Sequence, residues 1–165
     1  MCIRDSYLTK IETKYWIEYI CKRFENTGKH ISPELAEEIC RLVDNHSSYV
    51  QQLSWLLWIR TINTATTEQL TYALEDLLDQ NNILFQSETE NLSAYQMNFL
   101  KAIVDGIHTK FSSKEVISKY NLGTSANIVR LKNALLQKEL IETNGKEIVL
   151  ADPVFGVWFK KEMLY

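Results

Sequence analysis

Glycine and proline are scarce in this chain, with five Gly and two Pro among 165 residues. The glycines stand at 28, 106, 123, 145 and 156, and none lies in GxGxxG, GxxxxGK[ST] or GxSxG. A dinucleotide fingerprint, a Walker A phosphate loop and a nucleophile elbow are therefore excluded within this stretch. Long hydrophobic runs are missing too. The richest, 53–59, falls far short of the roughly 18 residues a membrane span needs, so a soluble, cytoplasmic chain with no membrane partner is expected. Cysteine is limited to Cys2, Cys21 and Cys40, an odd count without CxxC or a histidine at ligand spacing. That argues against a disulfide framework and for a reducing compartment. His30, His46 and His108 are scattered over three loops, so no metal site is expected. With no paired acids in an apolar setting, no catalytic residue is assigned, and the chain alone reads as a non-enzyme.

What is present is a globular composition, 45% hydrophobic and 24% charged, enough for one medium domain or two small ones. Charge divides unevenly. Residues 1–92 carry 8 Lys/Arg against 14 Asp/Glu, whereas 93–165 carry 10 against 7. The second half is the better suited to a polyanion. The opening Met1-Cys2-Ile3-Arg4-Asp5-Ser6 has no periodicity and no signal-peptide plan. It resembles translated sequencing adapter, which implies that the reading frame continues upstream; 1–12 is set apart as artefact and linker.

A mainly α chain follows. Trp16, Ile17, Ile20, Cys21 and Phe24 recur at helical spacing, with Gly28 as a stop. Ser32-Pro33-Glu34 supplies an N-cap, a proline at N1 and a first-turn acid for a second helix carrying Leu35, Ile39, Leu42 and Val43. A third helix holds Tyr49, Val50, Leu53, Leu56, Leu57 and Ile59. It is apolar nearly all round and expected at the centre of the bundle, with Trp55 and Trp58 in the core. The fourth, capped near Thr66 or Thr67, turns Leu70, Ala73, Leu74, Leu77 and Leu78 inward and Glu68, Glu75, Asp76 and Asp79 outward. These make a four-helix bundle over 13–86, closed by a polar bridge at 86–91.

Over 92–165 the pattern is that of a winged helix-turn-helix with a small β-hairpin wing. Ser93-Ala94-Tyr95-Gln96 reads as a capping box before the apolar line Tyr95, Phe99, Leu100 and Ile103, and Ser112-Ser113-Lys114-Glu115 as a second before Val116, Ile117 and Tyr120. Gly123 occupies the turn, and Thr124 is placed to cap a helix over 125–138 that buries Ile128, Leu131 and Leu135. Asn144-Gly145 between β-branched segments predicts the hairpin. Asp152-Pro153 starts a last helix whose Val154, Phe155, Trp158 and Phe159 pack back onto the core.

Leu74-Glu75-Asp76-Leu77-Leu78-Asp79-Gln80-Asn81 running into Phe85-Gln86, and Leu122-Gly123-Thr124-Ser125-Ala126-Asn127, carry a family resemblance. With His46-Ser47-Ser48-Tyr49-Val50-Gln51-Gln52-Leu53 and the closing Asp152-Pro153-Val154-Phe155-Gly156-Val157-Trp158, they resemble the archaeal-type P-loop ATPases of the AAA/STAND group. The resemblance implies the C-terminal fragment of such an ATP hydrolase, a helical lid plus winged helix. Its Walker motifs, ATP and magnesium would belong to an upstream core that is its first partner, and this chain itself would hold no cofactor. Relatives have a small-x-Pro pattern near the nucleotide; the matching positions are His46, Ser47 and Tyr49, with serine where proline is usual. Exposed apolar surface on the first or third helix would then face that core.

With Ile128, Leu131 and Leu135 inward, the opposite stripe of the third helix of the winged unit is Ala126, Arg130, Asn133 and Gln137. Arg130 suits guanine or phosphate, and Asn133 and Gln137 suit adenine. Ser125 and Asn127 at the helix start and Lys146 at the wing tip complete the candidate DNA-binding set, with Lys110, Lys114 and Lys119 as phosphate contacts. A single cation on the stripe is a thin footprint, so docking on a protein or on the chain's own ATPase core stays open. A second reading is a free-standing transcription regulator whose N-terminal bundle dimerises or binds an effector.

Overall fold

A computed structural model describes residues 9–164, so the adapter-like segment 1–6 and Cys2 lie outside the described residues. Two compact units divide between Asp79 and Gln80.

The first unit contains α1 (Thr13–Glu25), α2 (Pro33–Leu42), α3 (Ser47–Arg60) and the first half of α4 (Thr67–Glu90). Its caps follow from local chemistry. The Ser32 hydroxyl accepts the Leu35 N–H ahead of Pro33, and Thr66 and Gln69 exchange side-chain and backbone bonds in a capping box for α4. Trp16, Ile20, Phe24, Ile39, Val50, Leu53, Leu57 and Leu77 form the core. His30 accepts the Ala65 N–H and donates to Asn63 O, a short parallel bridge that ties the α1–α2 loop to the α3–α4 loop.

Helix α3 departs from its expected central position. Val50, Leu53, Leu56 and Leu57 are buried, but Trp55 is 58% and Ile59 50% exposed. Trp55 is therefore a surface residue, contrary to the sequence expectation. In so small a unit the other helices cover only one side of α3, and its second apolar face meets solvent.

The expected polar bridge at 86–91 is helical as far as Glu90. Nothing in Gln86-Ser87-Glu88-Thr89-Glu90 breaks a helix, and Phe85 and Thr89 are both buried one turn apart. The Thr89 hydroxyl also donates back to Phe85 O, 3.1 Å away.

The second unit holds the end of α4, then α5 (Ala94–Val104), α6 (Lys114–Tyr120), α7 (Ser125–Gln137), β1 (Ile141–Asn144), β2 (Glu147–Leu150) and α8 (Pro153–Met163). The Ser93–Gln96 capping box forms as expected. The second box does not. The cap of α6 is Ser113, whose hydroxyl accepts Val116 N–H, so the residue at N3 is a valine that cannot return the bond. The hairpin is antiparallel with Ile141 opposite Leu150 and Asn144 opposite Glu147, which makes Gly145-Lys146 the two-residue loop, one position later than expected. Gly145 takes φ +60°, the left-handed conformation required at the first position of a type II′ turn.

An aromatic cluster unites this unit. Phe85 meets Phe155 edge-on at 5.4 Å and lies 5.5 Å from Trp158, while the Trp158 indole N–H donates to Asn82 Oδ1 at 2.8 Å. Asp152 Oδ1 accepts the N–H groups of Val154 and Phe155 and so starts α8. Each buried aromatic side chain contributes about 1.5–3 kcal/mol relative to exposure.

Candidate functional site

The helix-turn-helix corner is held by a few contacts. Asn121 ends α6 in the left-handed conformation and Gly123 follows at φ +85°. Asn127 Nδ2 donates to Leu122 O at 3.0 Å, clamping the turn from inside α7. That bond fastens the Asn127 side chain to the turn. Thr124 occupies the N-cap position, but its hydroxyl makes no capping bond; its carbonyl accepts Asn127 N–H instead. Ile128, Leu131 and Leu135 are buried, which turns Ser125, Ala126, Arg130, Asn133 and Gln137 to solvent. The exposed face carries one further residue that the stripe omitted. Val129 is 62% exposed beside Arg130, and its position between the inward and outward lines of the helix hid it from periodicity. Lys132 is half-buried beside the apolar line, the usual place of a lysine stem that passes the core with its ammonium outside.

The wing is anchored at its base. Ile148 N–H donates to His108 O at 2.9 Å, and His108 Nδ1 lies 3.1 Å from Ile148 O. A carbonyl only accepts, so Nδ1 carries the proton. Lys146 at the tip is exposed, with exposed Glu142 and Glu147 on the same hairpin. Lys110, Lys114 and Lys119 are exposed as well. Arg130 and Lys146 have no ion-pair partner among the described residues.

In the first unit, His46 is the N-cap residue of α3 without a side-chain capping bond, and its ring lies 4.8 Å from that of Tyr49. Ser47 is exposed at the first helical position. The three residues expected near a nucleotide therefore share one helix terminus. Among the described residues no three His, Cys, Asp or Glu gather as a metal site, and no helix is long and apolar enough to cross a membrane.

A groove that the sequence reading missed lies between α1 and α3. It encloses about 670 Å³ and is lined by Tyr19, Arg23, Gln51, Gln52, Trp55 and Trp58, among others. Trp58 is pinned there: its Nε1–H donates to Thr27 Oγ1 at 2.8 Å, and Lys29 Nζ sits 3.9 Å from the ring centroid while donating to Trp58 O. The signal available in sequence was the three-residue spacing of the two tryptophans, which serves core and surface alike.

Residues 83–161 match the family model of a probable winged helix domain. The second unit is a winged helix. The match spans the hairpin and reaches into the closing helix. No curated protein matches the chain. Among solved structures the chain is similar to a Walker-type ATPase of Pyrococcus abyssi, with 18% identity and a TM-score of 0.67. The alignment covers 92% of this chain and 42% of that one, so the chain spans less than half of the ATPase's length. At this identity the likeness is one of fold.

Proposed function

We propose that this chain is the non-catalytic regulatory part of a P-loop ATPase of the AAA/STAND kind, a lid-like bundle followed by a winged helix that contacts double-stranded DNA. The observation that carries the reading is that one Walker-type ATPase accounts for both units in a single alignment covering 92% of the chain. ATP and magnesium belong to the core domain of the full protein, and nucleotide state reaches the winged helix through the bundle. His46, Ser47 and Tyr49, gathered at the start of α3, are the bundle's nucleotide-proximal residues. On the winged helix, Arg130 engages guanine or phosphate, Asn133 and Gln137 face adenine edges, Ser125 meets the backbone at the helix N-terminus, and Lys146 follows the adjacent phosphates. Asn127 contributes by holding the corner.

A second reading is favoured by two observations. Val129 adds an apolar side chain to the exposed face of α7, and Glu142 and Glu147 offset Lys146 on the wing. Both suit a protein partner better than a phosphate backbone. Sequencing the gene upstream tests the ATPase assignment: an in-frame Walker A and Walker B are expected, and a promoter with a start codon just before Tyr7 would favour the free-standing regulator.

A further inference from the structure

The groove between α1 and α3 has the makings of a ligand site independent of the DNA reading. Its volume of about 670 Å³ lies within the range of small-molecule sites, roughly 300–1,000 Å³. Three rings line it, Tyr19, Trp55 and Trp58. One wall is fixed before any ligand arrives, because Trp58 is held through its indole N–H, its carbonyl and the ammonium over its ring. Preorganisation of that kind lowers the ordering cost of binding. Charge narrows the ligand further. Residues 9–79 carry 7 Lys/Arg against 11 Asp/Glu. Yet the groove lining contains Arg23 and no acid. The Arg23 guanidinium lies 5.5 Å from the Tyr19 ring centroid and has no ion-pair partner among the described residues. Gln51 in the lining brings an amide able to donate to an oxyanion, while the Gln52 amide already donates to Ser48 Oγ at 2.8 Å.

We propose that this groove binds a small planar aromatic anion, its ring between Trp55, Trp58 and Tyr19 and its carboxylate on Arg23. Aromatic faces supply stacking, and the guanidinium supplies a charge-assisted, bidentate contact that an uncharged analogue cannot return.

The test is isothermal titration of the full chain with 2-naphthoate, 2-naphthamide and cyclohexanecarboxylate. Saturable one-to-one binding of 2-naphthoate is expected, with the amide and the non-aromatic acid each weaker by about tenfold or more. Arg23→Gln is expected to remove the preference for naphthoate over naphthamide, and Trp55→Ala to weaken both aromatic ligands. Trp55 and Arg23 are exposed, so both variants fold, and thermal melts confirm it. Absence of saturable naphthoate binding at millimolar concentration overturns the proposal. So does equal affinity for acid and amide, or an unaltered preference in Arg23→Gln.

Discussion

Gly123 has two independent reasons to be glycine. Its φ of +85° disfavours an L side chain, and a Cβ there would stand 3.2 Å from Asn127 Nδ2, the group that clamps the turn. Gly123→Ala is expected to destabilise the winged helix by more than about 1 kcal/mol, measured as a shift in urea midpoint. Asn82 Oδ1 accepts the N–H of the buried Trp158 indole, and Asn82→Ala removes that partner at an expected cost of about 1–3 kcal/mol. Cys40 gives a pH-dependent test. Burial pushes its thiol up to about 11, whereas an unfolded cysteine ionises near 8.5. The raised native value means that the thiol's contribution is fully present below about pH 8 and is lost as pH rises, since the unfolded chain releases the proton first. Stability is expected to fall by about 1–2 kcal/mol between pH 8 and pH 10 on this account. Cys40→Ala removes that increment, so a slope identical in the two proteins would refute it.

At the scale of elements, α3 separates the structure from the sequence reading. Leu53→Ala is expected to cost about 2–5 kcal/mol, and Trp55→Ala less than about 1, because one side chain is fully buried and the other mostly in water. Chemical denaturation of the two variants decides it, and a larger loss for Trp55 would restore the core assignment. Most elements were legible because their signals are local. Ser32-Pro33, the Ser93–Gln96 box and Asp152-Pro153 each satisfy orphan N–H groups with their own side chains, so sequence alone locates those helix starts. The misses arose where two neighbours offer the same chemistry. Ser112 and Ser113 compete to cap α6, and Asn144-Gly145-Lys146 accommodates a two-residue loop in either register. The continuation of α4 to Glu90 depended on tertiary burial of Phe85 and Thr89, which no helix-breaking residue opposes. On α7 the buried line Ile128, Leu131 and Leu135 was readable from period, and with it the outward set. The commitment of Asn127 to Leu122 and the exposure of Val129 were not, since both depend on how the turn seats the helix. The groove was beyond sequence altogether: it needs to be known which face of an all-round apolar helix is left uncovered.

At the scale of the molecule, charge and architecture agree in direction. Residues 1–79 carry 8 Lys/Arg against 12 Asp/Glu and residues 80–165 carry 10 against 9, so the acid excess lies in the first unit and the second is nearly neutral, while the footprint on α7 itself stays small. On the proposed reading, so small a footprint neutralises few phosphates, so weak binding with a shallow salt slope is expected unless a second contact adds to it. On that same reading, the outward face of α7 and the wing tip contact DNA. Fluorescence anisotropy of a labelled random duplex at two salt concentrations tests it most directly, with wild type beside an Arg130→Ala, Lys146→Ala double variant. Wild type is expected to bind in a salt-sensitive way, and the variant to be weakened by about tenfold or more with a log–log salt slope shallower by about 2. No binding at low salt, or equal binding by the variant, would contradict it and leave a protein partner as the winged helix's target.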